Sequence, residues 1–580
     1  MKSFARQRLF CPLLTIVSLL FGAGSSPAAP PADIILRGGS IVTVDPSQPQ
    51  AEAIAIRRNR ILAVGDWSEI QTLQNEQTEL IQLKPSQSVL PGLIESHAHL
   101  VQLGEKLMTL DLSTQSSWDG VIAAVVAAAQ DTPKGIWIVG SGWHQSKWVE
   151  MPRDAVDGYP SHQRLSKLTP DHPVTLAHAS YHGTFANELA MKLAEIDSET
   201  PDPPGGTILR DEQGNATGAM LETAAGLIAR AKARSESGVP ADVRRRRFAL
   251  AVDLATKECL KHGVTTFYDA GLTVRELDGL IALAEESGLG VRVHAMIRDS
   301  NDQLKGNLKR LRRVDTADGF LSIRGIKKMA DGALGSHGAW LLAPYEDRPA
   351  SRGLAIATAD EILEAADLAI EHDYQLCVHA IGDRANRETL NHFEKASKKA
   401  EVPLRDLRWR IEHAQHIHPQ DIPRFGRLGV IASMQGVHCT SDSIFVPTRL
   451  GYRRSAEGAF VWRSLMESNA TICNGTDAPV EKIDPFACLY STITRRSEGR
   501  DAFFPEQCMN ASEALRSYTF DAAYAMFTED SRGSLEAGKL ADLVVIDHDW
   551  ATIPSDDVAK TKVVMTMVDG KIVYQTDANK

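Results

Sequence analysis

Hydrophobic and polar positions divide the chain into three regimes. From Ala32 to about Leu90, short apolar runs (Ile34 to Leu36, Ile41 to Val44, Ala53 to Ile56, Ile61 to Val64) alternate with turn residues, the pattern of short β-strands. The far end repeats it with Asp542 to Asp547, Val563 to Val568 and Lys571 to Tyr574. Asp569-Gly570 between the last two runs is a hairpin signal. Two β-rich ends around a different middle predict one small β-sandwich built from both termini, 30–90 and 532–580.

The middle, 91–531, alternates strand runs with helical patterns, which predicts a parallel sheet or barrel. The strand runs are Val89 to His99, Val264 to Asp269, Val291 to His294, Ile323 to Lys327, Gln375 to His379, Arg408 to His413, Val430 to Met434 and Thr471 to Asn474. Eight is the count of a (β/α)₈ barrel in an α/β fold. Helices are expected from a cap at Asp242 to Lys261 and from Thr358 to His372. Thr358 and Glu361 have capping-box spacing. Between strands one and two lie far more residues than a single helix needs, so about 101–240 is expected as an inserted subdomain on the face that carries the site.

Composition narrows the class. Hydrophobic content of 43% and charged content of 24% are ordinary for a globular protein. A net charge of −11 argues against a nucleic-acid partner, whose binding surface is usually basic. The one basic cluster, Arg244 to Arg247, opens a helical pattern and reads as a solvated face. Residues 1–29 have Lys2, Arg6 and Arg8, an apolar stretch from Leu9 to Gly24, then Ser26-Pro27-Ala28-Ala29. That is the layout of a secretory signal peptide. It predicts an exported protein, periplasmic or secreted, with no membrane span after cleavage. The cysteines show no CxxC pair, so neither a zinc ribbon nor a redox motif is indicated. Cys377 and Cys473 fall inside strand runs, as buried thiols do.

The chemistry starts at Pro91-Gly92-Leu93-Ile94-Glu95-Ser96-His97-Ala98-His99. Residues two apart on a strand face the same way, so His97 and His99 would aim two imidazoles into one space. A second HxH, His416-Ile417-His418 before Pro419, lies outside any apolar run and reads as loop or helix start. Lys327, His379 and His413 end further strands, and Asp477 follows the eighth. A barrel converges strand ends on one pocket. Imidazole and carboxylate there suit zinc or a similar divalent ion with a position left open for water.

The wording around these residues resembles the amidohydrolase superfamily, in particular its amidohydrolase-3 subgroup, which includes N-substituted formamide deformylases. The matching blocks are Lys327 to Ser336, His379 to Asn386, Arg410 to Gln415 and Asn474 to Pro479. The resemblance implies a metal-dependent hydrolase of non-peptide C–N bonds acting on a small amide-type molecule. It implies one or two ions, Zn²⁺ or Mn²⁺, with His97 and His99 on one and His379 and His413 on the other. Lys327 would bridge them as a carbamate formed with CO₂. Asp477 would be both ligand and proton carrier. His182 and Asn187 resemble the subgroup's substrate-side pair, and His294 is a further candidate for substrate contact. His144, His337 and His438 read as local hydrogen-bonding residues. Two other readings stay in view: a ring deaminase on the same barrel, whose HxxE would need a carboxylate at Gly382, and a non-catalytic binding protein. A homodimer is open.

Overall fold

The eight expected barrel strands all form. Most are buried along almost their whole length, which is why they read as continuous apolar runs rather than alternating ones. The computed structural model describes residues 30–576 apart from 146–147, 179–182, 204–205 and 498; the export segment and His182 lie outside the described residues. The strands are β1 (Leu93–Ala98), β2 (Val264–Leu272), β3 (Arg292–Ile297), β4 (Leu321–Met329), β5 (Gln375–Ala380), β6 (Arg410–His413), β7 (Ile431–Met434) and β8 (Ile472–Asn474). Each lies parallel beside the next in chain order, giving a nearly closed barrel. The seam between β8 and β1 is fastened by loop atoms. Asp477 N donates to His97 O at 2.8 Å and His99 N to Ala478 O at 2.7 Å. At the opposite end Ile94 N donates to Tyr518 O at 2.8 Å.

The lower interior is apolar. Ile94, Met296, Cys377, Ile431 and Cys473 pack on Ala522, Ala523, Ala525 and Met526, so the stretch around helix Phe520–Ala525 plugs that end.

The termini form one eight-stranded sheet rather than two separate ones. Strand Ile34–Val42 pairs with Gln50–Arg57, and Leu543–Ile546 pairs with Ser88–Pro91, the strand leading into β1. Leu36, Ile54 and Ile56 from one arm share a core with Leu543, Val545, Met565 and Met567 from the other. The expected sandwich is therefore a single sheet wrapped on a common core. Asp569 and Gly570 carry φ of 55° and 73°, as a two-residue hairpin turn of the primed type requires. Arg292, at the amino end of β3, ties the sheet to the barrel through Asp542 at 2.7 Å and Asp569 at 3.2 Å.

The long segment after β1 builds its own six-stranded sheet, with a core that includes Trp118, Trp143, Leu176 and Phe185. Two local expectations met different fates. Thr358 and Glu361 form the capping box. Helix Ala241–Lys261 is preceded by Pro240, and Asp242 lies inside its first turn instead of capping it. Arg245 and Arg246 on that helix are solvated and pair with Glu286 and Asp242. The His416 to His418 segment is loop, as read.

Candidate metal centre

Six side chains gather at the carboxyl end of the barrel. His97 is the second-last residue of β1, and His99 directly follows the strand. Lys327 lies near the end of β4 beside Cys377, His379 near the end of β5, and His413 closes β6. Asp477 sits in the loop after β8. The rings of His97 and His413 are 4.8 Å apart, those of His379 and His413 4.5 Å, and those of His97 and His99 6.0 Å. Asp477 Oδ1 lies 3.3 Å from His99 Nε2 and 3.7 Å from His97 Nε2. Lys327 Nζ is 3.5 Å from His97 Nε2. Ligand atoms of His97, His413 and Asp477 all fall within 4.8 Å of one another.

The backbone bends to present these groups. His413, Ala414 and Asp477 have φ of 71°, 43° and 59°, in the left-handed region that non-glycine residues enter at a cost of about 1–3 kcal/mol. That cost is tolerated where the surrounding structure over-determines the conformation. Gly475 shows how tight the surroundings are: a Cβ there would lie 2.2 Å from Glu95 Oε1 and 2.7 Å from His97 N.

A second layer fixes the imidazoles. Glu412, fully buried, accepts a short hydrogen bond from His97 Nδ1, which leaves Nε2 with its lone pair toward the centre. Arg410 grips Glu412 with two bonds of 2.8 and 2.9 Å and reaches Ser96 O and Ser433 Oγ. Gln435 Oε1 lies 2.6 Å from His413 Nδ1, directing that ring's Nε2 inward in the same way. Asp331 faces His379 Nε2 at 3.6 Å and accepts the amides of Trp340, Ile381 and Gly382. Glu95 accepts the amide and hydroxyl of Thr476 at 2.8 and 2.9 Å, holding the loop that carries Asp477.

The electrostatics suit a cation. Burial, and then the Lys327 charge, push His97 and His379 down to about 3, so both rings are neutral donors of lone pairs. His413 is held well below its ordinary range by burial and by His379. Burial likewise lowers Lys327, toward the uncharged amine. Burial would raise Asp477, but the His99 side chain 3.3 Å from Oδ1 more than offsets it, and the carboxyl is held well below its ordinary range. Asp477 Oδ1 and His99 Nδ1 are buried without hydrogen bonds. A buried carboxylate whose near neighbours are imidazole nitrogens rather than a compensating cationic side chain is costly unless a cation is bound there. The residues fit a divalent ion.

The remaining expectations divide. Lys328 turns to the other face, where Nζ donates to Asp299 O at 2.8 Å. His337 pairs locally with Asp347 at 3.2 Å. The structure does not bring Asn187 to the centre: Oδ1 accepts Val174 N and Ala190 N while Nδ2 donates to Thr169 and His172 O. Fully buried with both ends of its amide engaged, it staples the inserted subdomain. Nor does it bring His294 there. β3 runs on to Ile297, and Ile297 pairs with Ile326, one residue before Lys327. His294 therefore sits about four residues, roughly 13 Å, below Lys327, edge-on to Tyr268. His438, read as a local hydrogen-bonding residue, instead has its Nε2 buried without a hydrogen bond, 3.8 Å from Asp477 Oδ2; what the sequence reading missed is the layer of Glu412, Arg410 and Gln435 behind the histidines.

A family model described as the amidohydrolase family matches residues 87–574. The chain is 32% identical to Protein LONG AFTER FAR-RED 3 of Arabidopsis thaliana, covering 94% of this chain and 92% of that protein. It is 26% identical to the N-substituted formamide deformylase of Arthrobacter pascens, covering 94% and 98%. Among solved structures it resembles an uncharacterized metal-dependent hydrolase from Pyrococcus furiosus, with a TM-score of 0.71, 26% identity and coverage of 90% of this chain and 100% of that one. With the ligand-rich barrel end already described, the chain belongs to the amidohydrolase family and is a metal-dependent hydrolase.

Proposed function

We propose that this enzyme hydrolyses a non-peptide C–N bond in a small N-acyl or N-formyl amine. The observation that carries the reading is geometric: ligand atoms of His97, His413 and the buried Asp477 lie within 4.8 Å of one another at the barrel's carboxyl end, with His99 Nε2 3.3 Å from Asp477 Oδ1. His97, His99, His379, His413 and Asp477 would hold one or two divalent ions, zinc first among them. When bound, such ions polarise a carbonyl and let a neighbouring water act as a nucleophile near neutral pH. Asp477 takes the proton of the attacking water and returns it to the leaving nitrogen. Lys327, whose pKa burial lowers, would add the Nζ of its uncharged form to CO₂ and lose a proton, becoming a carbamate with two oxygens to offer. An unmodified ammonium has no lone pair for a metal.

Support comes also from the relative whose name states deformylation of N-substituted formamides. A ring deaminase would need a carboxylate three residues past His379. Gly382 stands there, and a Cβ would meet Trp340 O at 2.1 Å. To test the reading, the metal-loaded protein is incubated with a panel of N-formyl and N-acetyl amines and the free amine is measured. Release from at least one member is expected. A panel left intact by fully loaded enzyme would overturn the C–N reading.

Export is proposed on residues 2–29. Mass spectrometry of the protein from its native host should find an N-terminus near Ala29 or Pro30. A chain that keeps Met1 in the cytoplasm contradicts it.

A further inference from the structure

Helix Gly436–Asp442 follows β7 and brings two side chains to His413. Gln435, its cap residue, bonds to His413 Nδ1. His438 lies nearly parallel to the His413 ring, at 18° and 5.9 Å between centroids. The close approach depends on Gly436, where a Cβ would fall 2.1 Å from Thr492 Oγ1. Gly436 N is anchored on Asn474 Oδ1 at 2.9 Å, and Asp442, at the last turn, is held by Gln415 at 2.6 Å. The helix is thus pinned at both ends with His438 between them.

The Asp477 carboxylate has two sides. Oδ1 faces His97 and His99, the ligand side. Oδ2 faces His438 Nε2 at 3.8 Å. That is beyond hydrogen-bond range, and Nε2 is buried without a hydrogen bond. The His438 side chain nevertheless keeps 12% of its surface exposed. A buried nitrogen with no partner, on a side chain that still keeps a little exposed surface next to the metal-site carboxylate, is placed for a partner that arrives with the ligand. A substrate oxygen lying to the side of the Nε2–Oδ2 line, rather than between the two atoms, can accept from Nε2.

We propose that His438 is a catalytic residue whose Nε2–H donates to the substrate's carbonyl oxygen as it becomes an oxyanion. This rests on the C–N hydrolysis reading above. In the step, the water oxygen bonds to the carbonyl carbon, the C–N bond breaks, and the proton travels from water through Asp477 to the leaving nitrogen. His438 transfers no proton. Its donation strengthens as negative charge grows on the oxygen, so it acts more on the transition state than on bound substrate. Being a donor and not a metal ligand, it should be dispensable for metal content.

The experiment compares wild type, His438→Ala and His438→Gln, all metal-loaded and matched for melting temperature. Metal per chain should be equal in all three. For the amine-releasing reaction, kcat should fall about 10²–10³-fold in His438→Ala with KM little changed, and His438→Gln, which keeps a donor, should recover at least about tenfold of that. A second arm uses acetohydroxamate, whose carbonyl oxygen occupies the same position and which requires no C–N turnover. Its affinity should drop about tenfold in His438→Ala. If wild type releases no amine, the substrate reading fails while the hydroxamate arm still decides the role of His438. Unchanged hydroxamate affinity in His438→Ala at full metal content would overturn the proposal. So would loss of metal in both variants, which would make His438 a ligand.

Discussion

Lys327→Ala should lose metal and activity together, with kcat/KM down on the order of 10³-fold or more, since a divalent ion supplies several kcal/mol of the barrier reduction. The residue is buried, 3.5 Å from His97 Nε2, and lowered toward its neutral form by burial. Carbamylation needs that neutral amine. The product is anionic with two oxygens, and it would replace a positive charge by a negative one among the histidines. Lys328→Ala is the control. Its Nζ bonds to Asp299 O on the opposite face of β4, so both metal and turnover should persist. Short carboxylic acids should partly restore Lys327→Ala by filling the vacated space. Metal analysis and turnover of the two variants check this, and a Lys327→Ala enzyme with full metal and normal rate would remove the bridging role.

Glu412→Gln should weaken metal binding about 10–100-fold, the range seen when a partner behind a ligating histidine is lost. Glu412 sets the tautomer of His97, and Arg410 holds Glu412. Glu412→Ala should do more, because it strands the guanidinium of Arg410 in a fully buried site. Losing one partner of a buried pair costs about 3–5 kcal/mol, visible as a lower melting temperature even without metal. Competitive chelator titration gives the first effect and apo-protein melting gives the second. A Gln variant with wild-type metal affinity would mean that His97 is oriented by something other than Glu412.

The barrel was legible because its strands are buried on both faces and each ligand sits where an apolar run stops. His97, His379 and His413 needed only that rule. His294 broke it: β3 extends three residues past the histidine, so the apparent strand end was a mid-strand position. Asn187 is engaged elsewhere for a different reason. It comes from the resemblance alone, and that wording does not show that its amide caps helix Glu188–Leu193 and bonds Val174 N. Arg410 and Glu412 did leave a signal, two opposite charges spaced i and i+2 inside an otherwise apolar strand, which places them on one face and in reach of each other. His438 left none. It lies on a seven-residue helix, and only the packing of that helix on β7 and β8 brings it to Asp477.

The most direct measurement is a chelation and refill experiment on the purified enzyme. Metal is removed until analysis finds none, activity toward the responsive N-acyl or N-formyl amine is recorded, and Zn²⁺ or Mn²⁺ is then titrated back. The arrangement of His97, His99, His379, His413 and Asp477 predicts loss of activity on removal and its return in step with metal bound. Activity that is unchanged after verified removal would contradict it.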